Sequence, residues 1–109
     1  MRFCAKNGFE ARGCPGAAEA YDAMYETRFD LILSDIMMPE IDGFAFAETV
    51  RSLNDRIPIM FMTARDDLAA KQRGFRAGID DYMVKPVDLD EMVLRVGAAR
   101  LRKRWRWEI

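Results

Sequence analysis

Three residues of different chemistry each follow a short apolar run. Asp35 closes Leu31-Ile32-Leu33-Ser34, Thr63 closes Ile57-Pro58-Ile59-Met60-Phe61-Met62, and Lys85 closes Asp81-Tyr82-Met83-Val84. A carboxylate, a hydroxyl and an ammonium at neighbouring strand ends suit phosphoryl transfer to a carboxylate. That reaction needs a nucleophile in line with the phosphorus and compensation for charge on the equatorial oxygens. Asp35 is the candidate nucleophile, forming an acyl phosphate. Thr63 is a candidate hydrogen-bond donor to one phosphoryl oxygen, and Lys85 a candidate ion-pair partner for another. Each has a plainer explanation alone: a strand-end Asp is often a turn cap, and a strand-end Thr is often a β-former.

The elements that must position these residues alternate along the chain. A continuous apolar run such as Leu31-Ile32-Leu33 marks a strand buried on both faces. Asn7-Gly8 reads as a helix stop, which makes Met1–Lys6 the end of a first helix. Phe9–Arg12 is a short strand candidate, and Gly13-Cys14-Pro15-Gly16 is a turn. Helices are expected over Ala17–Glu26, Gly43–Leu53 and Leu68–Ala77, the last closed by Gly78. Strands are expected over Leu31–Ser34, Ile57–Met62 and Asp81–Val84. Asp88 caps a final helix running to about Arg104, with Leu89, Met92, Val93 and Val96 as its apolar stripe. Alternating strands and helices with short loops demand a parallel sheet with right-handed crossovers. In such sheets chemistry gathers at the carboxyl ends of the strands.

Taken together, Asp35 in LSDIMMPEIDG, Thr63 in FMTA, Tyr82 in DDYMVKP and Lys85-Pro86 resemble the receiver domain of bacterial two-component response regulators. The resemblance runs from about Asn7 to Arg104. It implies an α/β, flavodoxin-like (CheY-like) doubly wound parallel sheet with strand order 2-1-3-4-5. Receivers normally begin with an apolar strand ending in two acids. No such segment is visible here, so the fold is expected to be truncated at its N-terminus, without the first strand and most of the first helix. The missing strand would lie between those around Phe9 and Leu31, and its loss would uncover the sheet face opposite the last helix. Unpaired edges and exposed apolar surface would then favour self-association.

The resemblance also assigns roles. Asp35 is the phosphoacceptor, Thr63 and Lys85 contact the phosphoryl group, and the Lys85–Pro86 bond is cis. Tyr82 is the aromatic that swings inward as the Thr moves, although a half-buried strand Tyr with a wet hydroxyl explains it as simply. Mg²⁺ would be held by the acidic pair, Asp35 and the main-chain carbonyl of Met37. With only the last two remaining, Mg²⁺ binding is expected to be weakened. Asp30 lies at the opposite end of its strand, and Asp66 and Asp67 read as caps of the next helix. Arg73, Asp80, Asp81, Glu91, Arg95 and Arg102 resemble the charged dimer face of the winged-helix (OmpR-type) branch. Glu91 and Arg95 are equally well explained as a local i,i+4 pair.

Composition narrows the alternatives. The chain has 109 residues, half of them hydrophobic, and no His. That is enough for one domain: a receiver-like unit over 1–104 and a tail over 105–109, with no output domain following. No apolar run is long enough to span a membrane and no signal peptide is visible, so a cytoplasmic protein is expected. Cys4 and Cys14 without His or a CxxC pair are poor zinc candidates and read as reduced thiols. From Arg95 onward six basic residues face one acid, Glu108, so that stretch carries +5 and the rest −6. An acidic body argues against direct nucleic-acid binding. The tail Leu101-Arg102-Lys103-Arg104-Trp105-Arg106-Trp107 suits a helix C-terminus, where cations complement the dipole.

The expected function is a receiver module, not an enzyme, that accepts a phosphoryl group on Asp35 from a sensor histidine kinase or phosphotransfer protein and forms a homodimer. The alternative is a phosphorylation-defective pseudo-receiver serving as an interaction module. A haloacid-dehalogenase-like phosphatase would need a second Asp two residues after the nucleophile, where this chain has Met37.

Overall fold

Three parallel strands order the described part of the chain: β1 (Ile32–Ser34), β2 (Ile59–Thr63) and β3 (Asp81–Val84), side by side in that sequence. The computed structural model describes residues 12–38 and 40–108, with side chains in the last helix as far as residue 98. The expected helix over Met1–Lys6 and strand at Phe9, together with Cys4, lie outside the described residues, as do the side chains of Arg102, Trp105 and Trp107. The register pairs Ile32 with Ile59 and Ser34 with Phe61, then Phe61 with Tyr82 and Thr63 with Val84.

Side chains alternate across the sheet, as strand geometry requires. Ile32, Ile59, Phe61 and Tyr82 face one layer, packed with Phe44, Phe46, Ala47, Val50 and Ala77. Leu33, Met60 and Met83 face the other, packed with Met92 and Val96. The first layer draws on α1 (Ala17–Glu26), α2 (Gly43–Leu53) and α3 (Leu68–Ala77), and the second on α4 (Leu89–Glu108). The chain is therefore α/β and wound on both faces. The face opposite α4, expected to be uncovered, is covered by α1, α2 and α3, because their buried stripes contain the residues that meet Ile59 and Phe61.

Local chemistry sets the element ends. Asp42 caps α2 by accepting from the Ala45 amide at 2.8 Å, and Asp67 caps α3 by accepting from the Ala70 amide at 3.0 Å. Gly78 ends α3 with φ of 106°, the left-handed conformation that glycine adopts without a Cβ clash. Asp88 Oδ1 accepts from the Asp90 and Glu91 amides at 2.8 and 3.3 Å, opening α4. That helix continues to Glu108, beyond the expected end near Arg104. β2 begins two residues later than its apolar run and includes Thr63. Ile57 is spent in the preceding turn, its amide donating to Asn54 Oδ1 at 3.0 Å and its carbonyl accepting from Arg51 at 2.8 Å. Pro58 has no N–H to offer the ladder.

Arg51 ties together the amino-terminal edge of the sheet. Its guanidinium donates to the Gly78 carbonyl at 2.6 and 3.1 Å, to the Ile57 carbonyl, and to Asp80 Oδ2 at 3.1 Å. Asp80 Oδ2 also accepts from the Ile59 amide at 2.9 Å.

Candidate functional site

Asp35 leaves the carboxyl end of β1, Thr63 ends β2, and Lys85 follows β3, so adjacency of the strands brings the three together. Lys85 Nζ lies 2.8 Å from Asp35 Oδ2. Asp35 Oδ1 accepts from the Met37 amide at 3.2 Å. The carboxylate is thus spanned by a side-chain ammonium on one oxygen and a main-chain N–H on the other. Burial works to raise the Asp35 pKa. The Lys85 and Met37 hydrogen bonds, the Thr63 hydroxyl and the Lys85 charge outweigh it, and the carboxyl lies below its ordinary value. Thr63 is 1% exposed and Asp35 partly exposed, so the hydroxyl forms the floor of the site and the carboxylate its rim. The Lys85–Pro86 peptide bond is cis.

The loop after Asp35 is held close by Gly43. Its amide donates to the Ile36 carbonyl at 2.6 Å. A Cβ at residue 43 would meet the Asp35 carbonyl oxygen and come within 2.7 Å of the Ile36 Cα. Glycine is therefore required for this approach. Glu40, in the same loop, has φ of 71°. Ser34 is buried beneath, its hydroxyl donating to the Asp35 carbonyl at 3.0 Å.

Tyr82 is turned inward, 8% exposed, with its ring edge-on to Phe61 at 6.2 Å between centroids. Its hydroxyl donates to the Arg65 carbonyl at 2.7 Å, so the simpler alternative of a wet hydroxyl does not describe this structure. Burial, followed by the Asp67 charge, pushes the phenol pKa up, so Tyr82 is a neutral donor. Asp67 and Asp66 are not carboxylates of the site: Asp67 caps α3 and pairs with Arg65 at 3.0 Å, and Asp66 pairs with Lys71 at 2.9 Å.

Five of the six charged residues expected on one dimer face have described side chains, and their partners within the chain differ. Arg95 bridges Asp81 at 2.7 Å and Glu91 at 2.9 Å, which brings three of them together within the chain. Arg73 instead lies over the Phe44 ring at 4.3 Å and 3.9 Å from Asp42, and Asp80 is engaged by Arg51. Long side chains reached partners on α2 that the sequence pattern does not display. Sequence reasoning also missed Arg65, which acts at the site through its main-chain N–H and carbonyl, and Arg51, whose guanidinium binds main-chain carbonyls that leave no residue-type signal. Gly43 was placed at the start of its helix, without the close approach to Asp35 that requires a glycine there.

For a metal, the described residues contain no group of three or more His, Cys, Asp or Glu side chains. Asp35 and the Met37 carbonyl are hard oxygen donors, the type Mg²⁺ takes, with water and substrate oxygens completing its octahedron. The donor set fits Mg²⁺ in kind and is sparse in number.

A parallel sheet carrying Asp, Thr and Lys at three consecutive strand ends defines a class, and sequence comparison agrees. The profile of the response regulator receiver domain matches residues 1–97. The chain belongs to that family, the receiver domains of two-component systems. It is 37% identical over 97 residues to the transcriptional regulatory protein RprY of Bacteroides fragilis, covering 89% of this chain and 41% of that protein. It is 37% identical over 92 residues to the response regulator MprA of Mycobacterium sp. (strain KMS), covering 84% of this chain and 40% of that protein. These similarities place it nearest the winged-helix (OmpR-type) branch. The chain spans about two fifths of the length of these curated relatives. The receiver domain of the Francisella response regulator 1452 superimposes with a TM-score of 0.82 at 31% identity, covering 89% of this chain and 80% of that one. Among the described residues no helix is long and apolar enough to cross a membrane.

Proposed function

We propose that Asp35 is the phosphoacceptor of this receiver domain, taking a phosphoryl group from the phosphohistidine of a sensor histidine kinase or phosphotransfer protein. The observation that carries this reading is the meeting of Asp35 and Lys85 at 2.8 Å, with Thr63 ending the strand between them. A carboxylate oxygen of Asp35 attacks phosphorus as the donor N–P bond breaks. An acyl phosphate forms, and the imidazole leaves and regains its proton balance from water. Lys85 is released from the bare carboxylate to pair with a phosphoryl oxygen, and Thr63 donates to another. Charge gathered on those oxygens is met by donors already in place. Asp35 and the Met37 carbonyl would hold Mg²⁺, which supplies further positive charge to the phosphoryl oxygens. With a single carboxylate, that binding is weak.

Asp81, Glu91 and Arg95, beside the exposed Leu94 of α4, support a homodimer face smaller than the six-residue set. Rim charges there act on register and specificity more than on affinity. The placement is cytoplasmic, where phosphorelay donors act. A non-phosphorylated interaction module is not favoured, because Asp, Thr and Lys are all present and in register.

The test is labelling with a small phosphodonor in Mg²⁺. Wild type gains a hydroxylamine-labile phosphoryl group, and Asp35→Asn keeps the wild-type circular dichroism without gaining it. Labelling of Asp35→Asn at wild-type level would remove Asp35 from this role.

A further inference from the structure

Met37 combines two properties that no other described methionine shares. It is 78% exposed, and it alone of the described methionines is among the exposed large apolar residues. Met60, Met83 and Met92 are buried in the core against α4. Met24, Met38 and Met62 are partly buried, and Met38 Sδ lies 3.6 Å from the Ser34 hydroxyl oxygen. An apolar thioether held out in water, while its neighbour is packed, has no part in the stability of the core. Its main chain, however, is part of the site: the Met37 amide holds Asp35 Oδ1 while Lys85 holds Oδ2. Met37 and Lys85 flank the same carboxylate.

We propose that Met37 is a reversible oxidation site, at which peroxide adds one oxygen atom to the exposed thioether of the residue whose amide holds Asp35. The sulfur lone pair attacks one peroxide oxygen, the O–O bond breaks and an S–O bond forms. Hydrogen peroxide is thereby reduced to water, and sulfur is oxidised by two electrons. Susceptibility follows exposure, so Met37 reacts before the buried methionines. The product is a polar, chiral sulfoxide that reductases return to the thioether. The sulfoxide oxygen is a strong hydrogen-bond acceptor. It forms on the residue whose own amide holds Asp35 Oδ1, the carboxylate that Lys85 pairs with. Oxidation thus changes the polarity of a residue whose main chain positions that carboxylate. This inference goes beyond phosphoryl transfer and does not depend on it, because the modification and its effect on the pair are read without a phosphodonor.

The experiment treats the full chain with dilute hydrogen peroxide and maps sulfoxides by peptide mass spectrometry. Backbone amide spectra are recorded before and after. Met37 sulfoxide should accumulate severalfold faster than any other methionine sulfoxide. The amide resonances of Asp35, Met37 and Lys85 should move, and return after treatment with methionine sulfoxide reductases. Met37→Leu, treated identically, should show no such movement. Faster oxidation at another described methionine, or unmoved Asp35 and Lys85 resonances in oxidised wild type, would overturn the proposal.

Discussion

The Tyr82 hydroxyl donates to the Arg65 carbonyl at 2.7 Å, and the amide of the same Arg65 lies 3.4 Å from Thr63 Oγ1. One residue's main chain therefore spans the buried hydroxyl of the site and the inward-turned ring behind it. Tyr82→Phe keeps the ring packing and removes the donor. It should lower stability by about 0.5–1.5 kcal/mol, the usual net value of one hydrogen bond. The loss should fall toward the lower end because Arg65 is exposed and water can replace the donor. Urea unfolding measures it, and an unchanged midpoint would mean that the bond contributes nothing net.

Asp35 gives a pH dependence of definite sign. Its folded pKa is depressed, so its contribution to stability is fully present above the ordinary Asp value of about 3.9 and is lost as pH falls through the lower folded value. Lys85→Met removes the largest of the lowering causes and leaves burial in place. The Asp35 carboxyl resonance should then titrate at higher pH than in wild type, and the part of the acid loss of stability that Asp35 contributes should shrink. Carboxyl carbon NMR across the acid range decides it, and an unmoved titration would show that Lys85 does not govern this carboxylate.

Gly43→Ala tests the close approach of α2 to the Asp35 loop. The added methyl meets main-chain atoms, which cannot rotate away as a side chain would. Overpacking of this kind costs about 1–3 kcal/mol. Because the obstructing atoms belong to Asp35 and Ile36, the variant should also label more slowly than wild type under conditions where both are folded. A thermal melt together with a labelling time course checks both halves.

Tyr21→Phe should act in the opposite direction. The Tyr21 ring stacks on Phe46 at 5.4 Å between centroids, yet its buried hydroxyl has no hydrogen-bond partner among the described residues. An unsatisfied buried hydroxyl carries a desolvation penalty. Removing it while keeping the ring should raise stability by up to about 1 kcal/mol. A lowered melting midpoint would show that the hydroxyl is satisfied in solution.

Much of this architecture is legible in the amino-acid sequence, for physical reasons that differ by element. The bounds of α1, α2 and α3 follow from Gly16, Asp42, Asp67 and Gly78, whose preferences are local. β3 stands out because Tyr82, Met83 and Val84 form an apolar stretch between Asp81 and Lys85. β2 was shifted because an apolar run records burial and not ladder pairing, and Ile57 is buried in a turn. Asp35, Thr63 and Lys85 could be placed because strand ends in a parallel sheet converge. Arg73 and Asp80 could not be, since a long or turn-borne charge goes to whichever partner the tertiary packing supplies, and here those partners are on α2. Arg65 was invisible because its contribution is its peptide group, which every residue has.

The Arg51 clamp has a consequence for how this domain can vary. At the edge of the sheet remote from Asp35, one guanidinium gathers the α2–β2 and α3–β3 connections at Ile57, Gly78 and Asp80. Neither connection can lengthen there without pulling an acceptor off that side chain, so insertions are excluded where nothing reacts. At the other edge no side chain pins several loops at once among the described residues: Lys85 holds only a carboxylate that it can exchange for another anion. New sequence, new specificity and new contacts have room to accumulate at the reactive edge, while the opposite edge keeps the strands in step.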